Sequence, residues 1–170
     1  MLLSEPPLNP KKNREDLVTL MFEEFKVPKL YIANQSVMSL FATGKTTGTV
    51  LDIGEGITHA VPIYEGYAIP HAIQTVDLCG HDITKYLHYL LMNSEPDLIS
   101  DTHDDIEEVK KIKEKMCYMA LDFDAELKQA QEQNSNYEKV YMLPGDKPLK
   151  LKEELIRAPD LLFQPQFIQK

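Results

Sequence analysis

Tryptophan is missing from this chain, cysteine occurs twice, and lysine and arginine together number 18 against 27 acidic residues. Each shortage narrows the reading. The formal net charge is −9, and no run of Lys and Arg stands apart from neighbouring acids, which argues against a general nucleic-acid-binding face. A small acidic ligand remains compatible, because backbone amides hold phosphate without net positive charge. Cys79 and Cys117 lie far apart in sequence without paired histidines, so they make no zinc site, although counting alone permits one disulfide. No apolar stretch reaches the ~18 residues of a membrane span, and no basic segment leading into an apolar core opens the sequence. The expectation is a cytoplasmic protein with reduced thiols, no membrane insertion and no direct nucleic-acid partner.

What is present is ordinary globular material. The 170 residues are 43% hydrophobic and 26% charged, enough for a core in one domain or one and a half. No internal period and no low-complexity tract interrupts them. Met1 to Ser4 is short and apolar, and Pro6, Pro7 and Pro10 end it. Asn9-Pro10 predicts a helix start, with Asn as N-cap and Pro at the first helical position. That helix is expected from about Lys11 to Phe25, burying Leu17, Leu20, Met21 and Phe25. Leu30 to Ala33 reads as a buried strand and Gln35 to Ala42 as a helix ended by Thr43-Gly44. Thr49 to Ile53 and Thr58 to Tyr64 predict a hairpin around Gly54-Glu55-Gly56, followed by short strands at Tyr67 to Ile69 and Ile73 to Val76.

Helical signals then take over, and a change in composition falls near Asp77 to Gly80. Asp82 to Met92 predicts one helix. Asp101 or Thr102 caps the next, expected to reach about Ala120 with an apolar stripe of Ile106, Val109, Ile112 and Met116. Its acids come first and its lysines later, an order that suits the helix dipole. A third helix is expected from Phe123 to about Gln133, and a last hairpin from Tyr137 to Leu143 and Leu149 to Leu151. The tail through Leu162 to Phe167 reads as lacking a closing element.

The chemistry concentrates at Asp52-Ile53-Gly54-Glu55-Gly56. A carboxylate ending a strand, followed by glycines, is a recurring phosphate device: the glycines permit close approach of backbone N–H groups and positive φ at little cost. The carboxylate repels phosphate unless a cation lies between them, and Mg²⁺ commonly takes one or two carboxylates plus phosphate oxygens. Asp52 therefore reads as a cation-side ligand and Gly54 and Gly56 as phosphate contacts. His59, on the returning strand, reads as able to order or deprotonate a water. On spacing alone, Asp-x-Gly-x-Gly in a hairpin is ordinarily just a turn, and Gln35 and the Lys113-Glu114 pair are ordinary surface residues. Gly44-Lys45-Thr46-Thr47 is similar to the end of a P-loop but lacks its upstream glycine.

Longer stretches carry more. "LLSEPPLNPKKNRE", "TTGTVLDIGEGITHAVPIYEGYAIPHAI", "IKEKMCYMALDF" and "LFQPQFI" closely resemble actin. The resemblance implies an α/β fold shared with Hsp70-type chaperones and sugar kinases, in which two domains enclose ATP or ADP and a divalent cation, Mg²⁺ or Ca²⁺, between two phosphate loops. It covers the middle of an actin: residues 1–42 match part of subdomain 1, residues 43–78 part of subdomain 3, and residues 79–170 a subdomain 4-like helical region. Asp52, Gly54, Glu55 and Gly56 match the second phosphate loop, with Asp52 holding the cation through water. Gln35 matches the glutamine that positions the attacking water, and it is also placed near the cation through water. His59 matches the histidine that orients water for hydrolysis. Lys110, Lys113 and Glu114 fall beside the adenosine.

The match has departures. Ile53 stands where the family pattern has a serine, Glu55 an aspartate, Asn34 an apolar residue, Lys110 an arginine, and His81 an arginine of the subunit-facing region. The resemblance implies an actin-like cytoskeletal protein whose partners are other actin or actin-like subunits and actin-binding or complex-partner proteins. The alternative is a non-hydrolysing actin-related scaffold in a larger assembly. Since only one phosphate loop is present, this segment alone is expected to show little ATPase and to expose apolar surface.

Overall fold

A computed structural model describes residues 1–132 and 137–168. The chain forms two compact units, Met1–Asp77 and Leu78–Lys170. The division falls where the composition changes.

In the first unit, Leu2–Glu5 is a strand, β1, that sequence reading left unassigned. It pairs in parallel with Tyr31–Asn34, β2, in the register Leu2–Tyr31 to Glu5–Asn34. Between them lies the helix Lys11–Thr19, α1. Pro10, not Asn9, occupies its N-cap, with extended ψ of 138° and no side-chain cap. The Asn9 side chain is engaged elsewhere: its amide donates to Glu5, and its oxygen accepts from the Asn13 side chain. The expected continuation to Phe25 exists, but as a wider π turn over Leu20–Glu24 in which the Phe25 N–H donates to the Leu20 carbonyl. Met21 is buried and Leu17 half-buried, whereas Leu20 and Phe25 are exposed, contrary to the 3.6-residue reading.

The helix α2 covers Gln35–Ala42, the residues expected. Asn34 caps it, its side-chain oxygen accepting the N–H groups of Ser36 and Val37. The strand β3 (Gly48–Ile53) pairs antiparallel along its whole length with Thr58 to Ile63 of β4 (Thr58–Tyr64). The other edge of β4 carries β5 (Tyr67–Ala68) and then β6 (Gln74–Val76), with a 3₁₀ turn at Pro70–Ala72 between them. Glu65 and Gly66 both have positive φ, 48° and 85°, the conformation a two-residue hairpin of this twist demands. A side chain at Gly66 would also meet the Phe41 ring at 3.0 Å.

One face of this sheet is covered by α2. Leu40, Val61 and Ile63 form the buried cluster, with Val37 and Val50 packed against it. Along β3, burial alternates: Val50 and Asp52 turn toward the covered face, while Leu51 and Ile53 stand exposed on the other.

The second unit is built on the helix α3, Gly80–Ser94, whose Ile83, Leu87, Leu90 and Leu91 recur at helical spacing and are all buried. The Cys79 N–H and thiol both donate to Asp82 at its start. Helix α4, His103–Met116, is capped by Thr102 and buries Val109 and Ile112 as expected. It stops short of Ala120 because Cys117 turns extended, ψ 147°. Helix α5 covers Phe123–Gln131, and the expected end at Gln133 lies outside the described residues. The last hairpin is β7 (Lys139–Leu143) with β8 (Lys147–Leu151).

Ahead of the Leu162 to Phe167 tail lies a helix that sequence reading left unassigned. Helix α6, Glu154–Asp160, packs on α3 and buries Leu155, Ile156 and Ala158. Pro159 inside it cannot donate to the Leu155 carbonyl, and the Tyr118 N–H fills that place. A 3₁₀ turn at Pro165–Ile168 follows, and Phe167 stacks on Tyr86 with ring centroids 5.8 Å apart. Both cysteines are free thiols. Burial pushes the Cys117 thiol up to about 12, so it stays protonated and unreactive at neutral pH. Among the described residues no helix is long and apolar enough to cross a membrane.

Candidate functional site

Asp52 and His59 face each other directly across the β3–β4 pair. Opposed residues of an antiparallel pair share one face, with Cβ atoms about 4.5–5.5 Å apart. On the far edge of β4, His59 is opposite Thr75, so Asp52, His59 and Thr75 form one row across three strands. Asp52 is half-buried and His59 is buried. The His59 Nδ1 lies 3.2 Å from the Thr75 hydroxyl oxygen. That contact fixes the ring and sets its chemistry. With Nδ1–H donating to Thr75, Nε2 keeps its lone pair and can accept a proton; with the Thr75 hydroxyl donating, Nε2 carries the proton.

Gln35 is exposed at the N-terminal end of α2, whose C-terminal half lies at the start of β3, where a Cβ at Gly48 would meet Leu40 at 3.3 Å. The Asn34 cap rigidifies this end.

The turn between the strands is closed by the Gly54 N–H donating to the Ile57 carbonyl at 3.0 Å. Neither Gly54 nor Gly56 has a positive φ, so left-handed freedom is not what glycine supplies here. Gly54 is required sterically, since a Cβ would meet the Ile57 carbonyl oxygen at 3.0 Å, and its own N–H is committed within the turn. Gly56 opens onto free space. Glu55 is exposed at the tip. Ile53 points to the face opposite Asp52.

Lys110, Lys113 and Glu114 belong to the second unit, on α4. The Lys113 ammonium donates to the Gly80 carbonyl at 2.9 Å, tying α4 to the first residue of α3. Lys110 is half-buried and Glu114 exposed. His81 is exposed on the first turn of α3.

Sequence reading missed Thr75 and Ser36. Thr75 pairs with His59 through a strand reached only after β5 and the 3₁₀ turn, so adjacency in sequence gives no clue to it. Ser36 is fully buried, and its hydroxyl has no hydrogen-bond partner in the protein.

The residues present suit a nucleotide phosphate with a hydrated cation better than a metal held wholly by protein. Among the described residues no group of three or more His, Cys, Asp or Glu could hold a metal ion. A single carboxylate beside a turn that leaves open space is the donor set for a cation that keeps most of its water.

The strand-end carboxylate and the returning histidine share one face of a hairpin closed by a glycine turn, within a mixed α/β chain. The family model described as actin matches residues 1–170. The chain belongs to the actin family, and its mixed α/β structure is part of an actin-like ATPase fold.

Proposed function

We propose that this chain carries the second phosphate loop of an actin-like protein that binds ATP or ADP with Mg²⁺ or Ca²⁺ and assembles with actin or actin-like subunits into filaments or a larger cytoskeletal complex in the cytoplasm. Residues 1–42, 43–78 and 79–170 then contribute to subdomains 1, 3 and 4. The observation that carries the reading is the shared face of Asp52 and His59 at the mouth of the Gly54–Gly56 turn. Asp52 would hold the cation through its water shell. Gln35 and His59 would orient water, with His59 held by Thr75. The open side at Gly56 would admit phosphate oxygens to the turn. Lys110, Lys113 and Glu114 would lie beside the adenosine. When bound, the cation supplies charge neutralisation to the phosphates.

A second reading, a non-hydrolysing scaffold, is favoured by Ile53, an exposed hydrocarbon side chain at the end of β3 where the family pattern has a serine. Equilibrium binding of Mg·ATP to the native protein, together with phosphate release, separates the two. Asp52→Asn is expected to weaken Mg·ATP binding by about tenfold or more, roughly the factor a charge-assisted contact contributes. Tight binding without phosphate release would select the scaffold reading. Absence of binding by the native protein would sink both the nucleotide reading and the assignment of Asp52.

A further inference from the structure

The strand β3 is an edge of its sheet. Among the described residues it pairs with β4 on one side and with no strand on the other. Two hydrogen bonds fix which of its backbone groups face the open side. The Gly54 N–H donates to the Ile57 carbonyl, so the narrow, hydrogen-bonded pairs of the hairpin fall at Asp52–His59, Val50–Val61 and Gly48–Ile63. The Ile69 N–H donates to the Pro62 carbonyl, which turns Pro62 toward β5 and agrees with that alternation. The N–H and C=O groups of Thr49, Leu51 and Ile53 therefore point away from β4. All three residues are exposed, Leu51 at 65% and Ile53 at 46%.

Open edges are normally guarded by lysine, proline, a bulge or shortness. In the second unit β8 carries Lys147, Pro148 and Lys150. On the far side of the β3 sheet, β5 and β6 are two and three residues long. By contrast β3 has six residues, no Lys, Arg or Pro, and an unbroken register with β4. The order of those six residues selects the strand that fits. Two copies of β3 related by a twofold axis through Leu51 set Leu51 opposite its symmetry mate, Thr49 opposite Ile53, and Val50 opposite Asp52. Every outward N–H and C=O of Thr49, Leu51 and Ile53 is then matched, and the exposed face gains apolar cross-strand pairs. An axis one residue on, at Asp52, would oppose two carboxylates. An axis one residue back, at Val50, would leave Ile53 facing Thr47, outside the strand.

We propose that the β3 edge is a self-association surface, at which two copies of this chain pair their β3 strands antiparallel about Leu51 and join their sheets into one. Main-chain hydrogen bonds supply the recognition and the Leu51 and Ile53 side chains supply the register. The twofold axis uses the one long open edge of each sheet, so the assembly closes at two. The contact is small, and association is reversible and set by concentration. It rests on strand pairing alone and is independent of the nucleotide reading.

Sedimentation velocity of the native protein from about 1 μM to 1 mM, the span of affinities of small interfaces, should show a monomer passing into a dimer. Leu51→Lys brings two ammonium groups together at the axis and should hold the protein monomeric throughout. Tyr67→Lys, at an exposed residue of the same sheet away from β3, should leave the dimer as it was. Thr49→Lys and Ile53→Glu should each weaken dimerisation about two- to thirtyfold, since two cross-strand pairs change per dimer. The double variant, which sets the new ammonium opposite the new carboxylate, should recover that loss. This reciprocal pair keeps the test open if Leu51→Lys disturbs the fold. A native protein that stays monomeric across the range, growth past the dimer, a dimer that survives Leu51→Lys, or a double variant no tighter than its two parents would each overturn the proposal.

Discussion

Replacing Thr75 with valine isolates what holds His59. Valine keeps the shape and β-branching that suit a strand, and Thr75 is itself exposed, so the substitution deletes one hydroxyl and little else. The lost contact is the 3.2 Å approach to His59 Nδ1. His59 is 7% exposed, so its Nδ1 is left with poor access to water. An unsatisfied buried polar group costs about 1–3 kcal/mol, and a contact at the long end of hydrogen-bond range belongs near the bottom of that interval. A loss of about 1 kcal/mol in a unit of this size lowers Tm by about 4–8 °C. The same deletion frees the ring to change tautomer and tilt, so phosphate release by the native protein should fall while Mg·ATP affinity changes little. Thr75→Ser, which restores the hydroxyl, should recover most of both effects. Scanning calorimetry and a phosphate-release assay on the three proteins check this. Identical melting and release in all three would refute the claim that Thr75 fixes the histidine.

Two further outcomes follow from the second unit. Lys113→Met keeps the aliphatic stem but removes the ammonium that donates to the Gly80 carbonyl, and should lower stability by about 1.5–3 kcal/mol in urea unfolding, the range for bonds to charged groups. A change in Mg·ATP affinity beyond what that stability loss explains would support its place beside the adenosine. Acid should destabilise this unit through Asp105 and Glu108. The Ser100 hydroxyl, then Thr102, hold the Asp105 carboxyl below its ordinary value, and the Lys111 ammonium, then burial opposed by the Tyr141 hydroxyl, leaves Glu108 lowered as well. A carboxylate depressed by folding stabilises above its unfolded pKa and loses that contribution as pH falls through its folded pKa. The urea midpoint should therefore fall below about pH 4 and stay level from about pH 6 to 8 as far as these groups are concerned. Asp105→Asn should flatten part of the acid limb.

Residues whose partners are near in sequence were legible. The β3–β4 hairpin, α2 with its Thr43-Gly44 stop, and the buried stripe of α4 at Val109 and Ile112 follow from local periodicity and turn residues. What escaped depends on remote partners. β1 has no alternation of its own and becomes a strand only because β2 lies beside it. Pro159 argues against a helix until Tyr118 supplies the N–H that the Leu155 carbonyl would otherwise lack. The π turn at Leu20–Glu24 has no signature in residue type. The candidate site divides in the same way. Asp52, Gly54, Gly56 and His59 sit within one hairpin and stand out from its sequence. The same hairpin gave no warning that Gly54 serves sterically rather than through positive φ. Thr75 reaches His59 only through the β4–β6 pairing.

The parallel β1–β2 pair sets an order of events during synthesis. Leu2 finds its partner Tyr31 about 30 residues later, a closure that costs about 3 kcal/mol of chain entropy before any strand contact offsets it. At about 5–20 residues per second, the ribosome delivers that partner a few seconds after Leu2 and Leu3 have been made. Through that interval the two leucines are an unpaired apolar segment, and the Gln35–Tyr64 region, whose contacts are local, can organise as soon as it emerges. β2 is complete before Gln35 is added, so both members of the parallel pair are in hand before α2 and the β3–β4 hairpin emerge.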